Sequence, residues 1–228
     1  MDLEHDAPGG AELIVLNNGA LLLAALVAVS SAGKQAVSQP ITSVGGPVVL
    51  NYLYLGHVSS DGSESRETGT LAIGAPQNNI SKIEIRHAGK VRRLGAQLRS
   101  NGEFAPLAPH SDLLRLYDAI PSVLHEPGMN RGGMAWQAAV PVLVSETEWR
   151  DVPVRVTSTV NGNRTVLDVS GRASEIVFDH GFTVGEDVAL EGRVTFNRGT
   201  IAIAHFIVHE VVHTFTDIPI SYEWTMSR

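Results

Sequence analysis

The sequence predicts a mainly β fold, an antiparallel barrel or strongly curved sheet of about ten strands, with one amphipathic helix (about residues 111–125) covering or plugging it. Three observations predict it. Short apolar runs rich in Val, Ile and Thr alternate with polar residues, which is the period of a half-buried strand. The 22 Gly and 11 Pro are scattered between those runs as turn punctuation. Only one segment carries apolar residues at helical spacing, and no helix–strand alternation suggests a parallel sheet.

The chain divides into a leader-like segment at 1–32, a linker at 33–46 and a single β-rich domain at 47–228. In the domain, Val48 to Val58 reads as the first strand, with Tyr52 and Tyr54 on one face. A polar turn, Ser59 to Ser65, precedes Thr68 to Ile73. Ile80 to Leu98 reads as two strands about Ala88-Gly89. The helix follows: Ser111 can cap it, Asp112 suits its first turn, Leu113, Leu114, Leu116, Tyr117 and Ile120 form its stripe, and Pro121 ends or kinks it. Trp136 to Val144, Val152 to Val160, Thr165 to Val169, Ser174 to Phe178, Asp187 to Phe196, Thr200 to Phe215 and Ile218 to Met226 complete the strands. Asn161-Gly162 is the strongest hairpin signal, read as a type I′ turn.

Composition narrows the chemistry. With no cysteine, disulfides, thiol catalysis, Cys-based zinc sites and Fe–S clusters are excluded, so any metal site must use His, Asp and Glu. The 24 acids against 17 bases give −7, but four acids (Asp2, Glu4, Asp6, Glu12) precede Lys34, the first base. Without residues 1–32 the balance is 20 against 17, or −3, and no nucleic-acid partner is expected from so mild a charge. Ala20 to Val29 suits the apolar core of a signal peptide, with Ser30-Ser31-Ala32 as a cleavage region. Export to the periplasm or cell exterior is the expectation. If the leader is retained, it becomes a membrane anchor.

One stretch carries a catalytic signature. Residues 209–213 spell H-E-V-V-H and resemble the zinc metallopeptidase motif over about ten residues. The resemblance implies a helix on which His209 and His213 bind zinc and Glu210 acts as general base. Three features oppose it. Only 15 residues follow His213, leaving Asp217 and Glu223 as the remaining acids, and Thr216 and Pro219 stand where a metzincin has Gly and His. Nine β-branched residues between Thr200 and Thr216 favour a strand. Finally, Asn197-Arg198-Gly199 frames a hairpin with the preceding strand. Read as a strand, the segment puts His205, His209 and His213 on one face with Ile203, Ile207 and Val211, and Glu210 on the other. An interior lined by those three histidines would be a polar pocket, which makes them the ligand-pocket candidates. No catalytic residue and no metal is then expected.

Weaker candidates are read as ordinary surface. Lys82, Arg86, Lys90, Arg92, Arg93 and Arg99 form a basic hairpin interrupted by Glu84, without aromatic interleaving. Glu146, Glu148 and Asp151 surround Trp149 in a turn-like segment. Residues 127–133 hold three glycines but lack the Lys-Ser/Thr of a phosphate loop. The expected function is therefore that of an exported, non-enzymatic protein binding a small apolar or amphipathic ligand or a partner protein, the zinc peptidase being the alternative.

Overall fold

A computed structural model describes residues 47–58, 62–99, 103–106, 112–124, 132–144, 148–179, 182–214 and 216–228. The leader, the linker, Ser111, Phe215 and Glu146 lie outside the described residues, as does the side chain of Glu148.

Among the described residues, eleven strands and one helix follow in order: β1 (Val48–Val58), β2 (Ser63–Ile73), β3 (Ile80–His87), β4 (Lys90–Leu98), β5 (Phe104–Pro106), α1 (Asp112–Ser122), β6 (Ala135–Val144), β7 (Glu148–Asn161), β8 (Arg164–Asp179), β9 (Phe182–Asn197), β10 (Thr200–His213) and β11 (Asp217–Ser227). They form one antiparallel sheet in the order β5-β4-β3-β2-β1-β11-β10-β9-β8-β7-β6. Among the described residues, every pairing but one joins strands consecutive in the chain; the exception is β1 with β11, which brings the two ends of the domain together and leaves β5 and β6, on either side of α1, as the sheet's edges.

The sheet curls strongly. β11 and β6 are five places apart, about 24 Å in a flat sheet at ~4.8 Å per strand. Yet the Tyr222 hydroxyl on β11 donates to the Leu143 carbonyl on β6 at 2.7 Å. Helix α1 lies by both edge strands. Asp118 accepts from the Phe104 amide of β5 at 2.9 Å, and Trp136 of β6 donates from Nε1 to the Val123 carbonyl at 3.2 Å. Pro121 sits in the last turn of the helix, where it cannot donate to the Tyr117 carbonyl, and the helix ends one residue later; the Leu124 amide donates to the Pro121 carbonyl.

Alternation fills the interior. Along β7, Val152, Val154 and Val156 point in while Asp151, Pro153 and Arg155 are exposed. Trp224, Tyr117, Phe104, Phe196 and Phe206 are the largest fully buried side chains, and they belong to one continuous core. Tyr54, Tyr222, Trp224 and Phe206 form a ladder of rings, the last two stacked at 4.9 Å between centroids.

Several details differ from the sequence expectation: β5 has no counterpart in it, and β2 and β7 begin at Ser63 and Glu148, inside segments read as turns. The β7–β8 turn is centred on Gly162-Asn163, because Asn161 pairs with Arg164. Positive φ falls on Gly162 alone (59°), the pattern of a type II′ turn. The segments 165–169 and 174–178 are parts of one 16-residue strand, β8, whose Gly171 and Arg172 stay in the ladder with β9.

Candidate functional site

The H-E-V-V-H segment lies within β10 and is a strand. Four residues along a strand put His209 and His213 about 13 Å apart, and Glu210 faces the opposite side. The geometry required by the zinc-peptidase signature is therefore not formed.

The three histidines do share a face, but it is the outer one, which corrects the expectation of a histidine-lined interior. The cause is a bulge. The register with β9 shifts between Ile201 and Ile203, so Ile201 points in and Ile203 points out at 41% exposure. From there Ala204, Phe206, Val208 and Glu210 face the core, and the histidines face solvent. His205 Nε2 lies 3.1 Å from Glu223. His209 is exposed. His213 stands between two carboxylates, with Nδ1 3.0 Å from Asp217 and Nε2 2.9 Å from Asp187. Hydrogen bonding to Asp217, then to Asp187, raises its pKa and favours the imidazolium.

Glu210 is the member of the motif that reaches the interior, 1% exposed. It borders a cavity of about 120 Å³ with Tyr54, Gly56, Ser65, Leu143 and Tyr222. At ~30 Å³ per water this space suits roughly four waters rather than an organic ligand. Burial raises the Tyr222 phenol well above its usual range, with the Tyr54 and Glu210 charges adding to the effect. Nearby, Arg150 bridges Glu175 at 2.8 Å and the buried Glu186 at 2.9 Å.

A far larger space opens on the outer face of β1–β4, a groove of about 1080 Å³. Its origin is a set of missing side chains. Cross-strand pairing sets Val49 of β1 opposite Ala72 of β2, Ala72 opposite Glu84 of β3, and Glu84 opposite Arg93 of β4. In the next row, Lys82 stands between Gly74 and Gly95: the Gly74 amide donates to the Lys82 carbonyl at 2.8 Å, and Gly95 pairs with Lys82 in the ladder. Ala72, Gly74 and Gly95 thus leave bare backbone as a floor. Val49 (59% exposed) and Ile80 (42% exposed) stand as apolar walls, the largest part of the exposed apolar surface here. A Cβ on Gly95 would come 3.3 Å from Ile80 Cγ2 and project into this space.

The basic run that includes Lys82 splits in two. Glu84 accepts from Arg86 Nε at 2.7 Å and from Arg93 Nε at 2.8 Å. Those bonds, Arg93's first, lower the Glu84 pKa. Lys82 forms no ion pair among the described residues. The sequence singled out Lys82 and Arg93 but not Val49, Ala72, Gly74, Ile80 or Gly95. A glycine inside a strand marks close approach or open space, and Gly95 between Leu94 and Ala96 carried that signal.

No family model matches the chain, and no curated protein matches it. Among solved structures, it is similar to a protein of unknown function from the DUF3598 family of Nostoc punctiforme, at 11% identity and a TM-score of 0.22, over 79% of this chain and 95% of that one. A likeness that distant adds nothing to the geometry above.

Proposed function

We propose that this chain is an exported binding protein whose β-rich body takes an apolar or amphipathic small molecule in the groove over β1–β4. The observation that carries the reading is the groove itself, about 1080 Å³ with Val49 and Ile80 exposed in its walls. Ligand pockets commonly measure roughly 300–1,000 Å³ and are mainly apolar with a few polar groups. By that measure the 120 Å³ interior cavity is too small. Exposed apolar side chains gathered in one concavity also oppose the hydrophobic effect until something covers them.

Titration with a neutral apolar dye such as Nile red tests this. Saturable binding at one site is expected, reduced about tenfold or more in Gly95→Leu, whose side chain fills the groove. Gly95 lies in β4 without a positive φ, and the added Cβ meets only the end of the Ile80 side chain, which must give slightly, so circular dichroism should be retained. Equal binding by wild type and Gly95→Leu would remove the groove as the site. Export rests on the leader-like sequence of residues 1–32. Mass spectrometry of the secreted protein should find an N-terminus near Ala32, and an intact Met1 on released protein would exclude cleavage.

A further inference from the structure

We infer that the molecule taken by this groove is a single-chain amphiphile with an anionic head, a carboxylate or phosphate, held by Lys82 with Arg93 beside it. This rests on reading the groove as the binding site and adds the chemistry of what it holds.

The charge arrangement carries the inference. On the outer face of the β3–β4 hairpin, Lys82, Arg86 and Arg93 face a single acid, Glu84. Glu84 is shared by the two arginines, so it compensates one of three positive charges. Arg93 is engaged through Nε, lines the groove, and has a side chain that is 75% exposed. Lys82 is unpaired among the described residues and is flanked on both neighbouring strands by glycine, so its ammonium can swing over bare backbone in either direction. This net positive spot sits in a chain whose formal charge beyond residue 32 is −3 (20 acids against 17 bases), which makes it a local exception rather than a general property of the surface.

The apolar part of the same space sits beside it. Val49 and Ala72 lie one row from Lys82 toward the β1 side, and Ile80 lies one row the other way on β3. A cation standing among apolar walls suits an anionic head with a hydrocarbon tail, because the tail covers the walls and the head meets the ammonium at the rim. A neutral apolar molecule would leave Lys82 partly desolvated without a partner. A bilayer fits less well: Val49 and Ile80 are the only large apolar side chains that stand exposed at the groove, whereas membrane insertion takes a broad apolar face.

Isothermal titration of the folded protein with an alkyl carboxylate, an alkyl phosphate and an alkyl maltoside of equal chain length, each below its micelle concentration, tests the inference. Both anionic amphiphiles are expected to bind about tenfold tighter than the maltoside, with that advantage shrinking as salt rises. Lys82→Glu should abolish the advantage while leaving maltoside binding within about twofold, and Lys82→Gln should fall between. Equal affinity for all three heads, unchanged by Lys82→Glu, would overturn the anionic head and leave the groove reading standing. Failure of every amphiphile to bind, or binding unaffected by Gly95→Leu, would overturn both. Sedimentation with anionic vesicles in the absence of monomer binding would overturn the inference in favour of a membrane surface.

Discussion

Asp118 shows how one buried residue sets a pH dependence for the whole domain. It lies on α1, 3% exposed, and its carboxylate accepts the Phe104 amide that ties β5 to the helix. Burial dominates and raises its pKa from 3.8 to about 7; Glu103 adds to this, while the Phe104 hydrogen bond, Arg115 and Arg99 oppose it. The folded state therefore holds the proton more tightly than the unfolded chain. The stability from this group is fully present below pH 3.8 and is lost as pH rises through about 7. At ~1.36 kcal/mol per unit, the loss between pH 5 and 8 is on the order of 2–3 kcal/mol. Asp118→Asn keeps an acceptor for the Phe104 amide and removes the titration. Urea unfolding should find wild type losing stability across that range and the variant nearly flat, at least as stable as wild type at pH 8. Parallel curves for the two proteins would show that Asp118 is already ionised in the fold at pH 5. His213 works in the same direction, since its raised pKa favours the fold below its ordinary 6.5 and ceases to do so as the imidazolium deprotonates. Its side chain is 40% exposed and its partners are screened by solvent, so Asp118 dominates.

At the scale of the element, β9 and β10 explain both what could be read in advance and what could not. Their alternation, the Asn197-Arg198-Gly199 turn and the β-branched content make two strands legible, and the structure has them at Phe182–Asn197 and Thr200–His213. The face on which each residue falls was not legible. It depends on the single extra residue at 202, and a bulge leaves no periodic trace in a strand apolar on both sides. The inward face is fixed instead by a fit between strands. Gly192 of β9 lies beneath the ring of Phe206, which stacks on Trp224. A Cβ at 192 would overlap that ring, so Gly192→Ala is expected to cost about 1–3 kcal/mol in urea unfolding, although alanine is the better residue for an ordinary strand. An unchanged midpoint would mean that the ring ladder yields freely and does not set the phase of β10. The groove was illegible for a different reason. Its floor consists of absent side chains on β2 and β4 and the space after β2, which become neighbours only through pairing with β3.

At the scale of the molecule, what the sequence could convey was the class, a meander of strands with one helix, because each strand pairs chiefly with its neighbour in the chain. The curl is a long-range property. Among the described residues, α1 links to both edge strands, and the Tyr222 hydroxyl reaches from the middle of the sheet to the Leu143 carbonyl of edge strand β6. That bond is partly buried, where a lost partner is expensive. Tyr222→Phe preserves the ring contacts with Tyr54 and Trp224, at 5.9 Å each, and deletes only the bond. It is expected to lower stability by about 1–3 kcal/mol. The loss should be local as well as global. Amide hydrogen exchange should quicken in Val142 to Val144 at the end of β6, while Leu190 and Val208, deep in the β9–β10 pair, change only with global stability. If instead exchange rises uniformly across the sheet, the curl is set by core packing throughout, and Tyr222 contributes no more than any other buried hydrogen bond.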